Sequence, residues 1–205
     1  MLATAHAGCL VGIEAKPVQV EVRLGKDLPG MEVVGLPDRG VREARVRVRA
    51  ALESEGFALP ERSFVLNLAP GDLRKDGASF DLAIAVSLLV ACDLARDHRL
   101  HDTLFVGELG LSGELRAVRG VLPQLRSAAA RGLRRAIVPA PNQAEAALAS
   151  GIEVLAARYL HEVAEWLDGE RELPRVETRE AASHIPSPVD LREVRGQPAS
   201  CRGLE

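Results

Sequence analysis

The run Lys75-Asp76-Gly77-Ala78-Ser79 lies between an apolar strand pattern and an apolar helix pattern, in "LNLAPGDLRKDGASFDLAIAVSLL". A serine at the mouth of a helix has two readings. As a nucleophile it needs an amine held neutral to accept its proton, and backbone N–H groups facing the oxyanion. As an N-cap it needs only to accept an N–H from the first helical turn. Lys75 is the one lysine nearby, and Gly77 between them permits several backbone paths. Its neighbours Arg74 and Asp76 read as a solvated loop, which favours the cap.

A second group is the row Arg42, Arg45 and Arg49, with Arg39 just before it, in "DRGVREARVRVRAALESEG". Spacings of three and four place these arginines on one helix face, where they could track a phosphate backbone. The same row also reads as a solvated face, with Glu43 four residues before Arg47, or as a subunit interface. His98 and His101 in "DHRLHD" have a spacing seen in metal sites, but no further ligand cluster accompanies them, so an exposed polar loop is expected. His6 alternates with apolar neighbours and reads as structural. No metal site is expected. The sequence has no Gly-x-x-x-x-Gly-Lys-[Ser/Thr] phosphate loop and no Gly-x-Ser-x-Gly elbow.

These residues must be positioned by an ordinary globular chain. It has 205 residues, 47% hydrophobic and 27% charged, with a net charge of −3. That balance argues against a wholly basic nucleic-acid binder but not against a local basic patch. Aromatic residues are 3%, too few for a base-stacking platform. Cys9, Cys92 and Cys201 lack metal-type spacing and point to a reducing, cytoplasmic setting. No signal-peptide pattern opens the chain, and the apolar run "LAIAVSLLVAC" is too short to span a bilayer, so no membrane partner is expected.

"VQVEVRL" alternates apolar and polar residues and predicts a half-buried strand, paired with a run from Ala3 to Val11. "MEVVGLP" predicts another strand. Asp38 caps a helix to about Glu55, with core stripe Val41, Ala44, Val48 and Leu52. A strand in "SFVLNLAP" precedes the serine loop, and the apolar helix after it runs to about Cys92. "TLFVGELGLSGELRAV" predicts a hairpin with Ser112-Gly113 at its tip. Helix, strand, helix, strand and helix follow in "VLPQLRSAAARG", "RRAIVPA", "NQAEAALAS", "IEVLAA" and "LHEVAEWLDG". Beyond Gly169 the periodicity ends. We expect a domain over 1–169, a linker over 170–188 and, over 189–205, the start of a truncated further module or a disordered tail. The mixture, without strict alternation, is α+β.

Five blocks in order, "GIEAKPVQVEV", "LPGMEVVGLPDRGVREARVRVRAAL", "LNLAPGDLRKDGASFDLAIA", "FVGELGLSGELRAVRGVLP" and "AIVPAPNQAEAAL", resemble the N-terminal domain of the ComM/YifB family of magnesium-chelatase-like AAA+ proteins. "DLREVRGQ" in 189–205 resembles the segment that opens the AAA+ module, and the chain stops before a Walker A loop, as a piece of a longer ATPase would. The N-terminal domain in turn resembles the proteolytic domain of Lon-type proteases. This implies a Lon-protease-domain-like mixed sheet with packed helices. In the Lon pattern Lys-Asp-Gly-Pro-Ser-Ala-Gly, Ser79 takes the nucleophile's place. The catalytic lysine's position, in "RGVLPQL", holds Leu122, with Arg119 and Pro123 as further departures. Leucine cannot accept a proton. The motif Lys75, Asp76, Gly77 and Ser79 is thus expected to be vestigial, with Ser79 kept as a helix cap. Three roles are implied: a non-catalytic accessory module that contacts DNA through Arg39, Arg42, Arg45 and Arg49, an interaction or oligomerisation module, or a residual serine peptidase. For the parent the resemblance implies a cytoplasmic hexameric ATPase and DNA branch-migration helicase of natural transformation, using ATP and magnesium. Its partners would be DNA, the AAA+ module and neighbouring subunits. No cofactor is expected in this chain.

Overall fold

The computed structural model describes residues 2–25, 28–75 and 77–179. β1 (Leu2–Val11) and β2 (Glu14–Leu24) form a long antiparallel hairpin, closed at Gly12. β3 (Gly30–Val34) leads into α1 (Arg39–Ser54), and β4 (Ser63–Ala69) into α2 (Asp81–Ala91). β5 (Thr103–Phe105) is followed by the small pair β6 (Glu108–Leu109) and β7 (Leu115–Arg116), then α3 (Val121–Ala130). β8 (Arg135–Pro139), the short α4 (Gln143–Ala146), β9 (Glu153–Ala157) and α5 (Leu160–Asp168) complete the order.

Seven strands make one mixed sheet in the order β3-β4-β2-β1-β5-β8-β9. β2 pairs antiparallel with both β1 and β4, whereas β3–β4, β1–β5, β5–β8 and β8–β9 are parallel. The α+β expectation holds. Alternation along the strands sends neighbouring residues to opposite faces. Phe105 and Ile137 join the core with α1, α2 and α5, while Leu104, Ala136 and Val138 join a second core under α3. Every residue of α2 is buried, so this helix is enclosed on all sides rather than amphipathic.

The α1 expectation is met closely. Asp38 is the N-cap, its Oδ1 accepting the Val41 N–H at 2.7 Å, and Val41, Ala44, Val48 and Leu52 are buried. The turn before it needs glycine at position 35. Its φ is +94°, and a Cβ there would sit 2.2 Å from the Leu68 carbonyl.

Two expectations change. The hairpin predicted over "TLFVGELGLSGELRAV" divides: Thr103–Phe105 enters the main sheet beside β1, and only β6 and β7 pair around Ser112-Gly113. Three consecutive buried residues, Thr103, Leu104 and Phe105, mark β5 as an interior parallel strand, not a half-exposed one. The expected linker also begins as packed chain. The Ala156 N–H donates to the Pro174 carbonyl at 2.9 Å, the Val176 N–H donates to the Val154 carbonyl at 2.8 Å, and Leu173 is buried. Residues 170–179 therefore cover the outer edge of β9, satisfying backbone groups that an edge strand leaves open. The rest of the linker and the 189–205 segment lie outside the described residues.

Candidate functional site

The loop from Lys75 to Asp81 is held between the start of α1 and the turn after β5. The Asp38 N–H donates to the Lys75 carbonyl at 3.1 Å, and Asp38 Oδ2 accepts the Gly77 N–H at 3.4 Å. Across the loop, the Gly107 N–H donates to the Ser79 carbonyl and the Leu82 N–H to the Gly107 carbonyl, each at 3.1 Å. Asp76 lies outside the described residues.

Lys75 is fully buried, which corrects the expectation of a solvated loop. Its backbone explains this: position 75 forms a parallel bridge to Pro37, and its N–H donates to the Leu36 carbonyl. The side chain runs inward, and Nζ donates to the Pro70 carbonyl. Burial lowers the pKa of this amine from the ordinary lysine value, with Cys9 and Asp72 pulling it back up. One requirement of a serine–lysine pair, a desolvated amine, is therefore present. The other, a hydrogen bond from serine to that amine, is not made. Ser79 is half-buried, and its hydroxyl has no hydrogen bond to a protein group among the described residues.

Ser79 is not the helix cap either. The N-cap of α2 is Phe80, with no side-chain capping bond. The Gly107 carbonyl does the work of a cap by accepting the Leu82 N–H, one of the first-turn donors that would otherwise be unpaired. Leu122 sits elsewhere, half-buried at the start of α3, with its N–H donating to Glu145 Oε1 at 2.9 Å. It lines a cavity with Ile13, Pro123 and Arg126, and neither Ser79 nor Lys75 borders that space.

The strongest electrostatic feature near Ser79 is one the motif did not single out. Asp81 is fully buried and takes both oxygens to Arg47: Nε to Oδ2 at 2.8 Å and Nη2 to Oδ1 at 3.0 Å. The Leu109 N–H adds a third bond at 3.2 Å. Burial nevertheless dominates and pushes the Asp81 carboxyl up to about 6, against the pull of Arg47 and Leu109 and with a further push from the Glu108 charge. The Arg47 pKa is raised by the same pair. This corrects the expected Glu43–Arg47 pairing. Glu43 pairs instead with Arg39, at 2.8 Å. A signal was in the sequence: Asp81 opens a helix whose only other polar residue is Ser87, and a carboxylate buried there needs a cation or a proton.

On the outside of α1, Arg39, Arg42, Arg45 and Arg49 are all exposed. Arg39 and Arg49 each hold a glutamate four residues on, Glu43 and Glu53. Arg42 and Arg45 have no carboxylate partner among the described residues. Their guanidinium groups lean on carbonyls, Arg42 Nε on Pro37 at 3.3 Å and Arg45 on Arg42 and Met31 at 3.1 Å each. His98 and His101 are exposed, the His101 carbonyl meeting His6 Nε2 at 3.0 Å, and no metal-type cluster occurs among the described residues. There, too, no helix is long and apolar enough to cross a membrane.

Comparison with known proteins places this arrangement. YifB of Escherichia coli is 39% identical over 204 residues, covering all of this chain and 40% of that protein. The competence protein ComM of Haemophilus influenzae is 37% identical over 207 residues, covering 99% of the chain and 40% of ComM. The DNA repair protein RadA of Halalkalibacterium halodurans is 32% identical over 155 residues, covering 73% of the chain and 33% of RadA. The model of the family "Subunit ChlI of Mg-chelatase" matches residues 20–142, more than half of the chain. The chain belongs to the ChlI family. Within that family it is similar to YifB and ComM along its whole length, as the five sequence blocks implied, and spans about two-fifths of their length. The ChlI match contains α1, the Lys75–Asp81 loop and α3, and so every residue of the candidate site.

Proposed function

We propose that this domain is the non-catalytic accessory module of a ComM-like AAA+ ATPase, and that it contacts DNA phosphates through the outer face of α1. The observation that carries the first part is the Lys75 amine. It is buried and donates to the Pro70 carbonyl, while the position of the Lon-type base holds Leu122 at a different cavity. Among the described residues Ser79 thus meets no group that accepts its proton, the first step of peptidase chemistry.

The second part rests on Arg42 and Arg45, exposed cations without carboxylate partners among the described residues, flanked by Arg39 and Arg49. Phosphates could displace their carbonyl contacts at low cost, because a charged acceptor outcompetes a neutral one. The names of the relatives, a competence protein and a DNA repair protein, support a DNA role. ATP and magnesium would be bound by the motor of the parent, since this chain has no phosphate loop. In the parent this domain would meet that motor and neighbouring subunits of a cytoplasmic hexamer.

The test is fluorescence anisotropy of labelled duplex DNA against the chain and its Arg42→Glu/Arg45→Glu variant. The expected result is weak, steeply salt-dependent binding that the variant loses. Unchanged binding by the variant would overturn the assignment of this face. A second reading, an interaction module without DNA contact, is favoured by the groove between α1 and β3.

A further inference from the structure

Among the described residues β3 is hydrogen-bonded to β4 alone, so one side of its backbone has no strand partner there. Alongside it a cavity of about 380 Å³ opens between β3, the middle turns of α1 and the chain entering β4. Met31, Val46 and Phe64 give it apolar surface. Val46 is 68% exposed, whereas Phe64 is buried at the base. Arg45, Arg49 and Arg62 also line it, together with Glu53 and Glu61. Arg49 and Glu53 neutralise each other at 2.9 Å. That leaves two guanidinium groups, Arg45 and Arg62, without a carboxylate partner among the described residues, against the single exposed Glu61.

Arg45 links the two halves of this surface. Its Nη1 donates at 3.1 Å to the Met31 carbonyl on the edge strand. A guanidinium resting on a neutral carbonyl is readily drawn to a carboxylate, which is the stronger acceptor. We infer that the β3 edge and its cavity bind an extended acidic peptide segment. The segment adds a strand to β3, seats an apolar side chain against Val46 and Phe64, and pairs a carboxylate with Arg45 and Arg62. Strand addition of this kind takes affinity from main-chain hydrogen bonds and specificity from alternate side chains. The cavity suits a side chain or two, and its apolar surface at Met31, Val46 and Phe64 suits an apolar side chain and not a run of phosphates, so peptide is favoured over nucleic acid. This deepens the interaction-module reading and does not depend on DNA contact: Arg45 is common to both surfaces, but Val46 and Arg62 belong to the groove alone, while Arg39 and Arg42 lie towards the start of α1.

The probe is a short fluorescein-labelled peptide in which aspartate alternates with valine and phenylalanine, beside a counterpart with lysine for aspartate. Binding to the full chain is read by anisotropy, and amide hydrogen exchange is followed over residues 30–34. The expected result is saturable binding of the acidic peptide, at least about tenfold tighter than the basic one, with slowed exchange in β3. Val46→Lys and Arg62→Glu, both at exposed positions, should each weaken it by about tenfold or more, whereas Arg39→Glu/Arg42→Glu leaves it unchanged. Several results would overturn the proposal. These are no saturable binding, equal affinity for both peptides, groove variants that bind normally, and exchange in β3 that does not slow. So would loss of oligonucleotide binding in Arg62→Glu, or self-association of the chain that Val46→Lys abolishes, which would give the groove to nucleic acid or to a second copy. Loss of DNA binding in Arg42→Glu/Arg45→Glu bears only on the DNA assignment.

Discussion

The Lys75–Asp81 loop and the outer face of α1 are adjacent, and they use charge in opposite ways. In the loop, the two charged side chains described are fully buried and already bonded: Lys75 to a carbonyl, Asp81 to Arg47 and the Leu109 N–H. On α1, Arg42 and Arg45 are exposed and rest on neutral carbonyls they can leave. A catalytic-looking sequence has become part of the framework, and an ordinary-looking helix face is where charge remains available. A buried charge is costly to leave without its partner, so these groups hold position, whereas exposed ones can exchange their contacts for a ligand at little cost.

The largest expected effect is on the framework side. Arg47→Ala leaves the Asp81 carboxylate buried and without its cation. A loss of about 3–5 kcal/mol is expected in urea denaturation at pH 7. A loss below about 1 kcal/mol would mean that the pair is not structural and that the contrast between the two regions is false.

Next is the pH dependence of that pair. The Asp81 pKa is raised to about 6 in the folded protein, above the ordinary aspartate value, so the folded state binds this proton more tightly than the unfolded chain. The contribution is fully present below about pH 4 and is lost as pH rises to about 6, by up to about 3 kcal/mol. Other carboxylates can run the opposite way, so the quantity to measure is the stability of the natural chain minus that of Asp81→Asn, from pH 4 to 7. A difference that falls across this window sharpens the comparison. A flat difference would place Asp81 in a better-solvated site.

The smallest effect belongs to the surface. Arg42→Glu and Arg45→Glu should each change stability by no more than about 0.5 kcal/mol, since surface positions without special contacts usually stay within that range. A larger change in thermal denaturation would show that the carbonyl contacts of these arginines hold the structure together.

Much of this was legible before the coordinates. The Asp38 cap, the α1 core stripe and the β1–β2 pairing followed from residue type and spacing, and Leu122 at the base's position was implied by the resemblance to Lon-type proteases. The fate of Lys75 did not. Its neighbours Arg74 and Asp76 argued for solvent, and only the parallel bridge to Pro37 turns the side chain inward. The Ser79 cap was misread because the alternative acceptor, the Gly107 carbonyl, comes from a distant turn that local sequence cannot place. The Arg47–Asp81 pair could have been foreseen. Arg47 is next to the buried Val48, on the flank of the α1 stripe, and Asp81 begins a helix with no exposed residue.

The account turns on the proposal that Ser79 is not activated, since no described residue accepts its proton. The most direct measurement is labelling of the intact chain by a fluorophosphonate, which reacts with activated serines, followed by mass spectrometry of the Ser79 peptide. No labelling above the Ser79→Ala background is expected. Stoichiometric modification of Ser79 that is lost in Lys75→Met would show that the buried amine reaches the hydroxyl, and would contradict the account.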